Sequence, residues 1–131
     1  MPRHLLIADD DPVSLRILER SLARPDYLIH TATDGAQALE HLQRAPCDLL
    51  LTDLYMPGLN GVELTQAVRA IPRHAHLPIG LVTYETDHAI RHEAKLAGVD
   101  FFIEKPVNVA HLRRCVLAAG EVPPPAQAAG H

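Results

Sequence analysis

The sequence predicts an α/β protein built on a doubly wound parallel sheet of five strands with five helices. Three observations carry that expectation. Leu49-Leu50-Leu51 is apolar without polar alternation, which suits a strand covered on both faces. Four more short apolar runs are separated from it and from one another by segments of helical periodicity, so each strand returns parallel to the last through a right-handed crossover. Polar residues stand where these runs end, at the sheet edge where open α/β folds bind ligands.

Residues 4–9, His-Leu-Leu-Ile-Ala-Asp, read as the first strand and end in the triplet Asp9-Asp10-Asp11. Pro12 fits the first turn of a helix, where its missing N–H costs nothing, so Asp11 is assigned as N-cap of a helix over 12–24. Leu15, Leu18 and Leu22 share its inner face and Pro25 stops it. Residues 27–32 form the second strand. Asp34-Gly35 opens a helix with Ala36, Leu39 and Leu42 expected inward, closed by Pro46. The third strand spans about 48–53, and the loop to Gly61 leads into a helix with Leu64, Val68 and Ile71 at i, i+4 and i+7, ended by Pro72. Pro78 starts a fourth strand to Thr83, at a position that needs no ladder donor. The helix that follows, about 86–97, has only Ile90, Ala94 and Ala97 as its apolar stripe and is expected to be the most weakly held, with Gly98 as its C-terminal cap. Asp100 to Glu104 is the fifth strand, Lys105-Pro106 a turn, and Asn108 the cap of a last helix with Val109, Leu112, Val116 and Ala119 inward. Residues 1–119 make one domain. Residues 120–131, with three consecutive prolines, hold too little apolar content to fold and read as a tail or linker.

A chain of 131 residues with 47% hydrophobic and 21% charged residues has an ordinary globular balance and room for one core. No apolar run approaches a bilayer span, and the N-terminal Met-Pro-Arg-His lacks the apolar region of a secretion signal, which argues against a membrane role and for a cytoplasmic location. The net charge is −4 and no basic block stands out, which argues against direct nucleic-acid binding. Cys47 and Cys115 lie far apart, outside any CxxC or metal-type cluster, and are read as buried free thiols.

At the carboxyl ends of the strands the polar residues converge: Asp9 and Asp10 after the first, Asp53 after the third, Thr83 after the fourth and Lys105 after the fifth. Asp53 alone has a bland alternative as a turn or helix cap. Together the carboxylates repel one another by about 4 kcal/mol per pair at an effective dielectric near 20, so the site calls for a cation. With oxygen donors only, that cation is hard, and Mg²⁺ accepts one or two carboxylates together with waters and phosphate oxygens. Lys105 and Thr83 then serve as an ammonium and a hydroxyl aimed at an anion. An anion that calls for Mg²⁺, a lysine and a hydroxyl beside a carboxylate points to a phosphoryl group received by Asp53, as carboxylate nucleophiles do in forming aspartyl-phosphate.

Leu-Leu-Ile-Ala-Asp-Asp-Asp-Pro, Leu-Leu-Leu-Thr-Asp-Leu-Tyr-Met-Pro-Gly-Leu-Asn-Gly, Leu-Val-Thr-Tyr-Glu and Phe-Phe-Ile-Glu-Lys-Pro give residues 4–119 a clear resemblance to the receiver domain of bacterial two-component response regulators. The resemblance implies a flavodoxin-like strand order of 2-1-3-4-5. It implies Asp53 as phosphoacceptor, with Asp10, the Asp53 carboxylate and the Tyr55 carbonyl holding Mg²⁺, and Asp9 contributing directly or through water. Thr83 and Lys105 then contact the phosphoryl group, Phe102 is the switch aromatic, and Lys105-Pro106 is cis. The module implied is a signalling domain rather than an enzyme, whose only chemistry is gaining and losing its phosphoryl group. Its donor is a sensor histidine kinase or a phosphotransfer protein, and its output surface is helix 4, strand 5 and helix 5. Pairing with a second copy of the chain stays open. Tyr84 departs from the small residue usual after the threonine and is placed to lean over the site, while Tyr55 and Glu85 occupy positions that tune phosphoryl lifetime. The competing function is a phosphatase of haloacid-dehalogenase type, which would need a second Asp where this chain has Tyr55.

Among the nine histidines, His88 and His92 have the i, i+4 spacing of a metal pair but no third ligand in sequence reach, and read as a solvated helix face. His74-Ala75-His76 falls in a loop. The nine together make the net charge sensitive to acid.

Overall fold

The computed structural model describes residues 2–120. Five strands and five helices alternate: β1 (Arg3–Ala8), α1 (Pro12–Leu22), β2 (Tyr27–Ala32), α2 (Gly35–Arg44), β3 (Leu49–Thr52), α3 (Gly61–Arg69), β4 (Ile79–Thr83), α4 (His88–Ala97), β5 (Phe101–Glu104) and α5 (Val109–Ala119). A single 3₁₀ turn, Pro72–His74, precedes β4. The sheet is parallel in the order β2-β1-β3-β4-β5, so the chain reverses direction across the sheet between β1 and β3.

Alternate residues of each strand feed two separate cores. Leu5, Ile7, Leu49 and Leu51 pack with Leu15, Leu18 and Leu22 of α1 and Leu112 and Val116 of α5. Leu6, Ala8, Leu50, Ile79 and Leu81 pack with Ala38 and Leu42 of α2, Leu64 and Val68 of α3 and Ala94 of α4. This explains the unbroken leucine run: both faces of β3 are covered, and each leucine withdrawn from water contributes about 1.5–3 kcal/mol.

The caps read from the sequence form as expected. Asp11 accepts from the Val13 amide, Asp34 from Gln37 and Asn108 from His111. At the start of α3 the structure adds a cap the sequence reading missed, a reciprocal capping box between Asn60 and Glu63. Gly98 ends α4 at φ 117°, a left-handed conformation that favours glycine.

Several boundaries differ. Helix α1 ends at Leu22 rather than 24, because Arg24 precedes Pro25 and is biased away from helical geometry, and Ala23 is already extended. In α2 the buried positions are Gly35, Ala38 and Leu42, with Leu39 half-buried; Ala36 lies about 200° round the helix from Ala38 and faces solvent. Helix α4 begins at His88, capped by Asp87. Ile71 lies past the end of α3, half-buried against the same core. His88 and His92 are exposed, as a solvated face requires, whereas His74 is buried, with Nε2 2.9 Å from the Leu42 carbonyl. Both cysteines are free and half-buried. The expectation of an unfolded tail concerns residues 121–131, outside the described residues. No helix among the described residues is long and apolar enough to cross a membrane.

Candidate functional site

Strand register assembles the site. Ala8 pairs with Thr52 across β1 and β3, so Asp9 and Asp53 leave the sheet side by side. Thr52 pairs with Leu81 and Thr83 with Glu104, which puts Thr83 and then Lys105 at the same edge. The Asp53 amide donates to the Ala8 carbonyl at 2.9 Å and the Lys105 amide to the Thr83 carbonyl at 3.0 Å, extending the ladders one residue into the loops that carry the chemistry.

Asp9, Asp10 and Asp53 each offer a carboxylate oxygen, and the three lie within 4.8 Å of one another. Lys105 Nζ donates to Asp9 Oδ2 and to Asp53 Oδ2, both at 2.8 Å, with side chains 5% exposed for Lys105, 1% for Asp9 and 13% for Asp53. Burial alone would lower the lysine pKa, but the hydrogen bonds and charges of Asp53 and Asp9 outweigh it and hold the ammonium above its ordinary value. Asp9 Oδ1 accepts from the Asp11 amide at 2.9 Å, which braces the carboxylate against the start of α1, while Asp53 Oδ1 accepts from the Leu54 amide at 2.6 Å. Asp10 is exposed at the mouth and borders a shallow depression of about 440 Å³ with Tyr55 and Asn60.

The buried Thr83 hydroxyl accepts from the Glu85 amide at 3.2 Å. Tyr84 does lean over the site: its ring centroid is 5.6 Å from Lys105 Nζ, although the residue is 71% exposed. The Tyr55 phenol hydrogen-bonds the Glu85 carboxylate, joining the loops after β3 and β4. That bond raises the Tyr55 pKa and lowers that of Glu85. Thirty residues separate the two, and no sequence signal marks them as partners. Phe102 is half-buried against the core beneath α2, α3 and α4, with Arg91 Cζ 5.4 Å from its ring centroid. Arg91 also donates to the Glu85 carbonyl and pairs with Glu104 at 3.2 Å, a tie the sequence reading missed. The Lys105-Pro106 bond is cis.

The donor set fits a hard divalent cation. Its atoms are all oxygens, the carboxylates outnumber the single ammonium, and Lys105 engages Asp9 and Asp53 but not Asp10.

Known proteins resemble this chain in sequence and fold. The family description Response regulator receiver domain matches residues 5–117. The chemotaxis protein CheY of Pseudomonas aeruginosa is 39% identical over 111 residues, covering 83% of this chain and 89% of that protein. Three other curated relatives are longer, and the chain spans from 11% to 47% of their length. The chemotaxis response regulator CheY4 of Vibrio cholerae superposes with a TM-score of 0.85 at 28% identity, covering 91% of this chain and 99% of that one. The receiver domain of sensor histidine kinase PA1611 from Pseudomonas aeruginosa, solved with a magnesium ion in its active site cleft, superposes with a TM-score of 0.84 at 27% identity, covering 92% of this chain and all of that one. With the family description spanning nearly all of the described residues, this chain belongs to the response regulator receiver domains of two-component signalling.

Proposed function

We propose that Asp53 is the phosphoacceptor of this receiver domain and that Asp9, Asp10, Asp53 and the Tyr55 carbonyl hold its Mg²⁺. The observation that carries the reading is the two-pronged contact of Lys105 with Asp9 and Asp53 inside a cluster of three carboxylates. When bound, Mg²⁺ supplies positive charge to offset the carboxylates and the oxygens of the incoming group.

The remaining steps fall to the chain's own residues. An Asp53 oxygen attacks phosphorus, the bond from phosphorus to the donor's histidine nitrogen breaks, and that nitrogen keeps the electron pair. Lys105, already 2.8 Å from the Asp53 carboxylate, turns its ammonium to the new phosphoryl oxygens. The Thr83 hydroxyl accepts from Glu85 and retains its own proton to donate to the same group. Movement of Thr83 makes room for Phe102, which links the site to α4, β5 and α5 as the output surface. The donor is a sensor histidine kinase or a phosphotransfer protein. Nothing favours the phosphatase alternative, since Tyr55 stands where the second Asp would be required and its phenol is engaged with the Glu85 carboxylate.

The test is intact-mass measurement after incubation with acetyl phosphate and Mg²⁺. One phosphoryl group is expected on the wild type and none on Asp53→Asn that retains its fold. Equal labelling of the two proteins overturns the assignment.

A further inference from the structure

We propose that His4, His30 and His41 form a second metal site, for a borderline divalent ion such as Zn²⁺, between the edge of the sheet and α2. The site is separate from the acidic cluster. His4 stands five residues before Asp9 on β1, about 16 Å at the usual strand rise of ~3.3 Å per residue.

Register and helix phase bring the three together. In the β1–β2 pairing Leu6 lies opposite His30, which makes His4 and His30 diagonal neighbours on one sheet face. His4 Nδ1 and His30 Nε2 are 3.5 Å apart, and the rings stack at 9° with centroids 5.7 Å apart. The His41 ring of α2 lies over His30, with centroids 4.7 Å apart. Two nitrogens bound to one tetrahedral Zn²⁺ at 2.0–2.1 Å are separated by about 3.3 Å, so the His4–His30 pair already spans close to one edge of such a site.

Ordinary packing accounts for part of this. Two neutral imidazoles at 3.5 Å can share a single N–H, which satisfies His4 and His30. It leaves His41 unexplained: its Nε2 is buried and has no hydrogen-bond partner. An orphaned imidazole nitrogen beside two others is a donor set lacking its acceptor of electron pairs. Burial, then the neighbouring His30, Arg44 and His4, lower the His41 pKa, which keeps it in the neutral form that metals require. Of the charged groups nearby, Arg44 is paired with Glu40 at 3.6 Å, and the Asp48 carboxylate accepts from the His4 amide at 2.7 Å. One adjustment is needed, because the three rings do not yet bring one nitrogen each to mutual ligand distance: His41 must turn toward the other two. All three residues are half-buried, so solvent reaches the site and supplies the fourth ligand. All-imidazole ligation selects Zn²⁺, Ni²⁺ or Cu²⁺ over the hard ion suited to the carboxylates.

The experiment titrates the full chain with Zn²⁺ in excess Mg²⁺ by calorimetry, and follows imidazole C–H resonances by NMR. One equivalent is expected to bind, with shifts on His4, His30 and His41. His30→Ala, which removes the central ligand, should weaken binding at least about tenfold, while His88→Ala with His92→Ala, and separately Cys115→Ser, should leave it unchanged. The resonances of the wild type answer the question even if His30→Ala fails to fold. Absence of stoichiometric binding, shifts confined to other histidines, or full affinity in His30→Ala overturns the proposal.

Discussion

Lys105 Nζ donates to Asp53 Oδ2 at 2.8 Å, joining residues 52 positions apart, and the same nitrogen reaches Asp9 at the same distance. One ammonium thus offsets two of three crowded carboxylates, and the behaviour of the site follows from that imbalance.

Removing the ammonium leaves Asp9, almost without solvent access, beside Asp53 with no cation. Breaking such a pair typically costs 3–5 kcal/mol. Because Asp53 is partly exposed, Lys105→Met should lose about 3 kcal/mol in urea unfolding without Mg²⁺, and excess Mg²⁺ should restore part of it. In the wild type the lysine pKa is raised on folding, so its contribution is complete below 10.5 and fades only as pH climbs through the raised value. An unchanged urea midpoint in the variant would contradict this account.

Asp10 takes no share of the ammonium and lies exposed at the mouth, within 4.8 Å of the other acids. Asp10→Asn should therefore raise stability by about 1 kcal/mol without Mg²⁺, as expected for relief of one repulsion in a near-aqueous dielectric. The same variant should lose Mg²⁺ affinity. Parallel melts with and without Mg²⁺ read both effects, and a variant that is less stable in both conditions refutes the prediction.

At Gly61 a Cβ would stand 2.5 Å from the Asp53 carbonyl and 3.0 Å from Leu54 Cα, both backbone atoms. Alanine at a helix position normally gains up to about 1 kcal/mol over glycine. Here Gly61→Ala should instead cost about 1–3 kcal/mol by overpacking and slow labelling of Asp53, because the loop carrying the acid must shift. A stabilised variant would show that the close approach of α3 to the end of β3 is dispensable.

Helix α4 fully buries only Ala94, with Ile90 and Ala97 half-buried against the same core, and Arg91 ties it further through the Glu85 carbonyl, Glu104 and the Phe102 ring. Beryllofluoride, which mimics the acyl phosphate, should change amide exchange most across residues 84–104, where burial is thinnest. In Arg91→Ala these amides should exchange faster before any ligand is added. Changes concentrated in α1 and α2 would place the output face elsewhere.

Burial pushes the Cys47 thiol from 9.0 up to about 11, a difference of two units. Since the thiolate is the reactive form, Cys47 in Cys115→Ser should alkylate with iodoacetamide at pH 8 about 100-fold more slowly than in the urea-unfolded chain. Its contribution to stability is intact below pH 9 and lost as pH rises toward 11. Equal rates in folded and unfolded protein would show that the half-buried thiol is open to water.

The fold was legible because its signals are local. Unbroken apolar runs, capping residues such as Asp11, Asp34 and Asn108, and prolines at helix ends each act within a few residues, and together they give the order of elements and the polar residues at strand ends. Asp9, Asp10, Asp53, Thr83 and Lys105 could be placed at one edge from sequence because every strand of a doubly wound sheet points the same way. Where local reading failed, two competing local effects met, as at Arg24 before Pro25, or helix phase moved a residue outward, as at Ala36. Partnerships across the sheet were decided only by tertiary structure. Tyr55 with Glu85, Arg91 with Phe102 and Glu104, and His4 with His30 and His41 depend on strand register and on the rotation of each helix about its axis. Those are set by how two cores fill around the sheet, a sum over many apolar contacts that no single residue encodes.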